Sequence, residues 1–188
     1  DAARQAITHG NTRDLMLAKL YADSQTLRGI QSTEAKIAKK RELLPDYLPY
    51  IDGILQADAV PVPDNVLMTV MVWALDVADY KLALRIAGHA LEHNLPMPDR
   101  FKRNAATLLA EQVADAQLAA TTKGDALDGE LLVDVAAMVD GKDMPDQVRA
   151  KLFKALGNFY ESTDASSALE CYTRAFALDN RVGVKKEL

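Results

Sequence analysis

Two groups of residues in this sequence have the types and spacing to do catalytic chemistry, and a third has the charge to bind. The first is His89-Ala90-Leu91-Glu92-His93, an H-x-x-E-H pattern. On a helix the two histidines share a face at i and i+4 and could chelate zinc, with Glu92 as general base, as in some zinc metalloproteases. The plainer reading is two surface histidines near a helix C-terminus, where a cation is mildly favoured. Ala90 and Leu91 face the core in a hairpin packing, which turns His89 and His93 outward, and no third ligand is well set downstream. The plainer reading is preferred, so no metal is assigned.

The second group is the acidic run Asp125, Asp128, Glu130, Asp134, Asp140, Asp143 and Asp146. A two-metal nuclease needs carboxylates converging on ions about 4 Å apart. These instead sit beside turns and at helix starts, where Asp and Glu cap free N–H groups and meet the positive end of the helix dipole. A solvated or partner-facing edge is the expectation. There is no Gly-rich phosphate loop, and the single cysteine, Cys171, is expected to pack as a small apolar residue. No catalytic residue and no cofactor is assigned.

The third group is basic. Arg13, Lys19, Arg28, Lys36, Lys39, Lys40 and Arg41 face only Asp14, Asp23 and Glu34 over residues 13–41, a net charge of +4. Residues 42–188 then carry −9 of the total of −5. Lys36, Lys39 and Lys40 fall at i, i+3 and i+4, one side of a helix, where ammonium groups could line a phosphate backbone and gain by counterion release. An ordinary solvated helix face is the alternative. A few charges on one chain bind DNA weakly, but an assembly would repeat the row.

These residues must be held by helices. Ala and Leu make 55 of the 188 residues, while Gly and Pro together make 16. That balance favours helix and excludes collagen-like, disulfide-rich and low-complexity chains. The longest apolar run, Val66 to Leu75, is half the length a membrane helix needs, so no membrane partner is expected. The chain opens at Asp1 without a signal-peptide pattern and stops within Lys185-Lys186-Glu187-Leu188, so both ends are read as trimmed.

The pattern predicts an all-α fold: one long N-terminal helix over 12–44, then packed antiparallel helical hairpins. Asn11 or Thr12 caps the long helix and Pro45 stops it. Its seam is Met16, Leu20, Asp23, Leu27, Ile30, Glu34, Ile37, Arg41 and Leu44, with Gly29 a weak point. Further helices are predicted over 45–56, 65–77 with Asp64 as cap, 80–94, 100–121, 127–139, 146–161 and 165–178. Two divisions follow, 1–44 as a basic helix for DNA contact or oligomerisation and 45–188 as the hairpin body. The last hairpin resembles a tetratricopeptide repeat, through Phe153, Leu156, Gly157, Tyr160, Ala168, Tyr172, Ala175 and Leu178-Asp179. Small residues stand where two helices cross closely and aromatics fill the space beside them. There is no contiguous third copy, so this is a hairpin style and not a solenoid.

Four blocks carry a wider resemblance: Lys39-Lys40-Arg41-Glu42-Leu43-Leu44-Pro45 continuing to Leu55, Val66-Leu67-Met68-Thr69-Val70-Met71-Val72-Trp73, Met144 to Leu152, and Gly183 to Leu188. They resemble the small terminase subunit of contractile-tailed temperate bacteriophages, a family often labelled as the terminase endonuclease subunit. The resemblance implies DNA packaging into the viral capsid. It implies a homo-oligomer, commonly a ring, that binds double-stranded phage DNA in the bacterial host cytoplasm and delivers it to the terminase large subunit. The large subunit holds the ATPase and nuclease, and these residues show no nuclease site of their own. The helix-turn-helix of many other small terminases is not evident, which leaves the basic helix as the candidate DNA contact and a missing tail as the second. The competing classes are a helical-repeat adaptor that binds a protein, and a metal-dependent endonuclease.

Overall fold

The computed structural model describes residues 2–57 and 61–188, with side chains described from residue 12. Every regular element among the described residues is helical, and the order is α1 (Ala2–Gly29), α2 (Thr33–Leu43), a 3-10 turn (Leu44–Tyr47), α3 (Leu48–Leu55), α4 (Asn65–Asp76), α5 (Tyr80–Glu92), α6 (Ala105–Lys123), α7 (Gly129–Met138), α8 (Asp146–Tyr160) and α9 (Ala165–Leu178). The chain divides into two compact units, Asp1–Pro98 and Asp99–Leu188. The boundary expected at 44/45 separates basic from acidic sequence, whereas the packing boundary falls at 98/99.

The helix expected to run unbroken over 12–44 is cut at 30–32. Gly29 ends α1, adding no side chain to hold the helix together. Ser32 then adopts an extended backbone and its hydroxyl accepts the Ala35 N–H at 3.2 Å, starting α2 afresh. The expected seam holds up to the break. Leu20 and Leu27 are buried, and Met16, Asp23 and Ile30 are half-buried. Beyond it, Glu34 and Arg41 are exposed and only Leu44 is fully inside.

The core of the first unit is built around α4. Asp64 caps it, accepting the Leu67 N–H at 2.8 Å, and an unbroken run from Val66 to Met71 is buried. A helix apolar nearly all round belongs in the middle of a core. Tyr47 and Ile51 are fully buried, and the Tyr47 ring meets Trp73 edge-on at 5.8 Å between centroids. That geometry sets the positive ring edge against the negative ring face. Asp79 caps α5 through the Leu82 N–H, and α5 buries Leu82, Ala83, Ile86, Ala87 and Ala90.

In the second unit, α6 begins at Ala105, five residues after the expected start. The Asn104 side chain accepts the Thr107 N–H at 2.8 Å, so Arg100, Lys102 and Arg103 lie outside the helix. Gly124, at φ 77, closes α6 in the left-handed conformation that suits glycine. The buried Gln117 side chain accepts the Asp128 N–H at 2.9 Å, so its polar end is satisfied. Helices α8 and α9 meet where the sequence places its small residues. A Cβ on Gly157 would stand 2.4 Å from Tyr172 Cε1, so glycine is what lets that ring approach α8 so closely. Ala168, Tyr172, Ala175 and Val184 form a small cluster there, lined by Phe153, Tyr160, Phe176 and Val182.

Candidate nucleic-acid interface

The seven cations between Arg13 and Arg41 are not equivalent in three dimensions. Three are absorbed into the packing of the first unit. Lys19 Nζ lies 3.0 Å from Asp23 Oδ2 and 2.9 Å from Asp46 Oδ2, and 5.2 Å from the centre of the Tyr47 ring. The bond to Asp46 and the neighbouring charges raise the Lys19 pKa and hold it protonated. The Tyr47 hydroxyl donates to Asp23 at 2.6 Å, and burial together with that carboxylate pushes its pKa far up.

A second triad of the same kind stands nearby in the chain. Arg13 Nε lies 3.6 Å from Asp64 Oδ2, and its Nη2 donates to the Pro63 carbonyl at 2.7 Å. The Tyr50 hydroxyl donates to the same Asp64 oxygen at 2.6 Å, and burial again raises the phenol pKa. Each triad joins a cation on α1 to a carboxylate and a tyrosine from the Asp46-Tyr47-Leu48-Pro49-Tyr50 stretch or beside it. They hold α1 against the turn and the start of α4.

Lys40 is the third absorbed cation. Its ammonium pairs with Asp76 in the last turn of α4, and the adjacent Arg41 donates from Nη2 to the Val77 carbonyl at 3.3 Å. Both positive groups therefore sit at the negative end of the α4 dipole, where cations are stabilising. Lys39 reaches along its own helix to Glu42 at 2.8 Å, a solvent-facing pair worth little. Arg28 is exposed and Lys36 half-buried, and neither has an ion-pair partner among the described residues. The expected row of Lys36, Lys39 and Lys40 thus does not present three free ammonium groups. The outward cations are Arg28 and Lys36, joined by Lys39 and the exposed Arg41, and they flank the break between α1 and α2.

Sequence reasoning named Asp23 on the seam and Asp64 as a cap but did not pair them with these cations, and it did not single out Asp46 or Asp76. Lys19 and Asp23 stand at i and i+4, a visible signal. The Lys40–Asp76 pair spans 36 residues and leaves no local trace.

The other candidate groups are placed as follows. His89 and His93 pack ring against ring at 4.7 Å near the end of α5. His89 Nε2 is buried without a hydrogen-bond partner among the described residues, and its pKa is lowered first by burial and then by His93. Asp128 caps α7 through the Leu131 N–H at 3.0 Å, and Asp146 stands in the first turn of α8. Cys171 is half-buried, and burial raises its thiol pKa. Among the described residues no three or more His, Cys, Asp or Glu side chains gather to hold a metal ion, and no helix is long and apolar enough to cross a membrane.

Against this geometry, the family model described as phage small terminase subunit matches residues 17–147. The chain belongs to the phage small terminase subunit family. The match covers six of the seven cations, all but Arg13, and reaches from the first unit into the second. The chain is similar to a protein of Escherichia phage P2 called "Terminase, endonuclease subunit", 43% identical over 190 residues that cover 100% of this chain and 76% of that protein. It is also similar to the "Probable terminase, endonuclease subunit" of Haemophilus phage HP1 (strain HP1c1), 29% identical over 107 residues, 56% of this chain and 38% of that protein. No solved structure matches.

Proposed function

We propose that this small terminase subunit binds double-stranded phage DNA, self-associates and delivers the DNA to the terminase large subunit for cutting and packaging into the capsid, in the host cytoplasm. Membership of the family carries this reading, and the outward cations on either side of the α1–α2 break support a DNA contact there. Arg28 and Lys36 lead the interaction because no carboxylate of their own chain, among the described residues, competes with phosphate for them. Lys39 joins them, since it gives up only an exposed partner, and so does Arg41, an exposed residue whose single bond to the Val77 carbonyl is long at 3.3 Å. Arg13, Lys19 and Lys40 act indirectly, by fixing α1 and α2 on the α4 core.

The large subunit supplies the ATPase and the nuclease, and the acidic sequence of residues 42–188, with net charge −9, is the part proposed to dock it. The phage P2 relative's name speaks of an endonuclease, and on this reading the present chain serves the cutting complex by presenting DNA.

The test is binding of labelled duplex DNA at two salt concentrations, for the parent protein and an Arg28→Ala/Lys36→Ala/Lys39→Ala/Arg41→Ala variant. Removing one phosphate-binding cation lowers the salt slope by about 0.9, so the slope should fall by up to about 3–4. Unchanged affinity and slope in a folded variant would remove the basic segment from the interface.

A further inference from the structure

Helix α1 carries a second heptad pattern on the side away from its buried leucines. Leu15, Ala18, Ala22, Gln25 and Gly29 repeat at alternating spacings of three and four, and Asp14, Tyr21 and Arg28 flank them seven apart. All eight are exposed, Leu15 at 64% and Tyr21 at 68%, while Leu20 and Leu27 on the opposite side are buried. Neither Asp14 nor Arg28 has a partner among the described residues.

We propose that this face pairs with the same face of a second copy, antiparallel about a two-fold axis beside Tyr21. The proposal rests on the self-association reading above and names the surface. Charge selects the orientation. In an antiparallel pair centred on Tyr21, Asp14 of each copy meets Arg28 of the other, and the two tyrosines stack over the axis. The same register sets Ala18 of one copy against Ala22 of the other, and these small side chains let the backbones come close. Leu15 of each copy then lies along Gln25 of the other. A parallel pair would set the flanking positions against Lys19 and Thr26. Lys19 is already held between Asp23 and Asp46, and Arg28 would meet no carboxylate.

The face spans 16 residues from Asp14 to Gly29, about 24 Å of helix, so the interface is short and pairs protomers weakly. A two-fold interface closes on itself, so a ring built from such pairs uses a second, different interface between them.

The experiment is sedimentation velocity of the protein over a range of concentrations, with Asp14→Arg, Arg28→Asp and the double exchange. Each single change sets like charges together twice per pair and should raise the concentration of half-association by about tenfold or more. The double exchange restores opposite charges and should return it to within about threefold of the parent. In a Cys171→Ala background, Asp14→Cys/Arg28→Cys should link into dimers with a short bis-maleimide, and Asp14→Cys alone should not. If the parent assembles but the single reversals leave its mass distribution unchanged, or the double exchange fails to restore it, this pairing is wrong and self-association stands. If the parent is a monomer throughout, both fall. Loss of DNA binding by Arg28→Asp with unchanged mass would assign the face to DNA and overturn the pairing.

Discussion

Lys40 of α2 is ion-paired with Asp76 at the end of α4, 2.5 Å apart and 36 residues apart in the chain. The lysine that looks in sequence like part of a DNA-facing row therefore fastens one helix to another. Both side chains are mostly shielded, at 17% and 28% exposure, so the pair is not a loose surface one.

Replacing Lys40 by Ala should cost the first unit about 1–2 kcal/mol, because it strips a charge-assisted bond from a partly buried carboxylate. Lys36→Ala should cost about 0.5 kcal/mol or less, as expected for a site that pairs with no described residue. Urea unfolding of the two variants side by side separates them. Equal destabilisation would mean Lys40 has no such fastening role.

Tyr47→Phe should destabilise by about 1 kcal/mol while leaving the packing on Trp73 in place. The ring is fully buried, and its hydroxyl is the donor to Asp23. Near-ultraviolet circular dichroism should keep the aromatic signal while the denaturation midpoint falls. A variant as stable as the parent would show that Lys19 alone satisfies Asp23.

Gly157→Ala should be costly for one methyl group, about 1–3 kcal/mol, since the added carbon would stand 2.4 Å from the Tyr172 ring. Tyr172 also donates to Asn158 at 3.0 Å, so the ring is tied and not free to swing aside. Combining Gly157→Ala with Tyr172→Leu should recover part of the deficit. Additive effects in the double variant would place the strain elsewhere.

His89 gives a pH signature. Its pKa is lowered from the ordinary 6.5, by burial first and by His93 next, with Glu92 opposing. The unfolded chain therefore takes up the proton before the folded one does. Stability is full above about pH 6.5 and declines as pH falls below it, until the folded pKa is reached. In His89→Gln that part of the decline should vanish, which a series of urea midpoints from pH 7 to 5 would register. An unchanged slope would assign the acid sensitivity to other groups.

Much of the helix pattern is legible in the sequence because its signals are local. Asp64 caps α4 where the sequence places it, and α9 begins at Ala165 and ends at Leu178 as expected. The break at 30–32 is hidden because a seven-residue apolar repeat runs straight across it, and Ser32 reads as one more polar surface residue until its hydroxyl is seen on Ala35. The late start of α6 is hidden because Arg100 to Arg103 are compatible with helix, and the decisive Asn104 cap is one weak preference among many. The candidate interface is legible as a charge excess and not as a surface. Net charge counts Lys19 and Arg28 alike, whereas tertiary packing gives the first two carboxylates and the second none among the described residues.

Asp64 accepts from the Tyr50 hydroxyl and the Leu67 amide and forms an ion pair with the Arg13 guanidinium, joining three parts of the chain. A substitution there would not only uncap α4. It would release a phenol and leave the Arg13 guanidinium held by the Pro63 carbonyl alone, adding one positive charge without a counter-charge to the basic segment. Among relatives, positions 13, 50 and 64 should then vary together, with the loss of the acid accompanied by loss of the arginine.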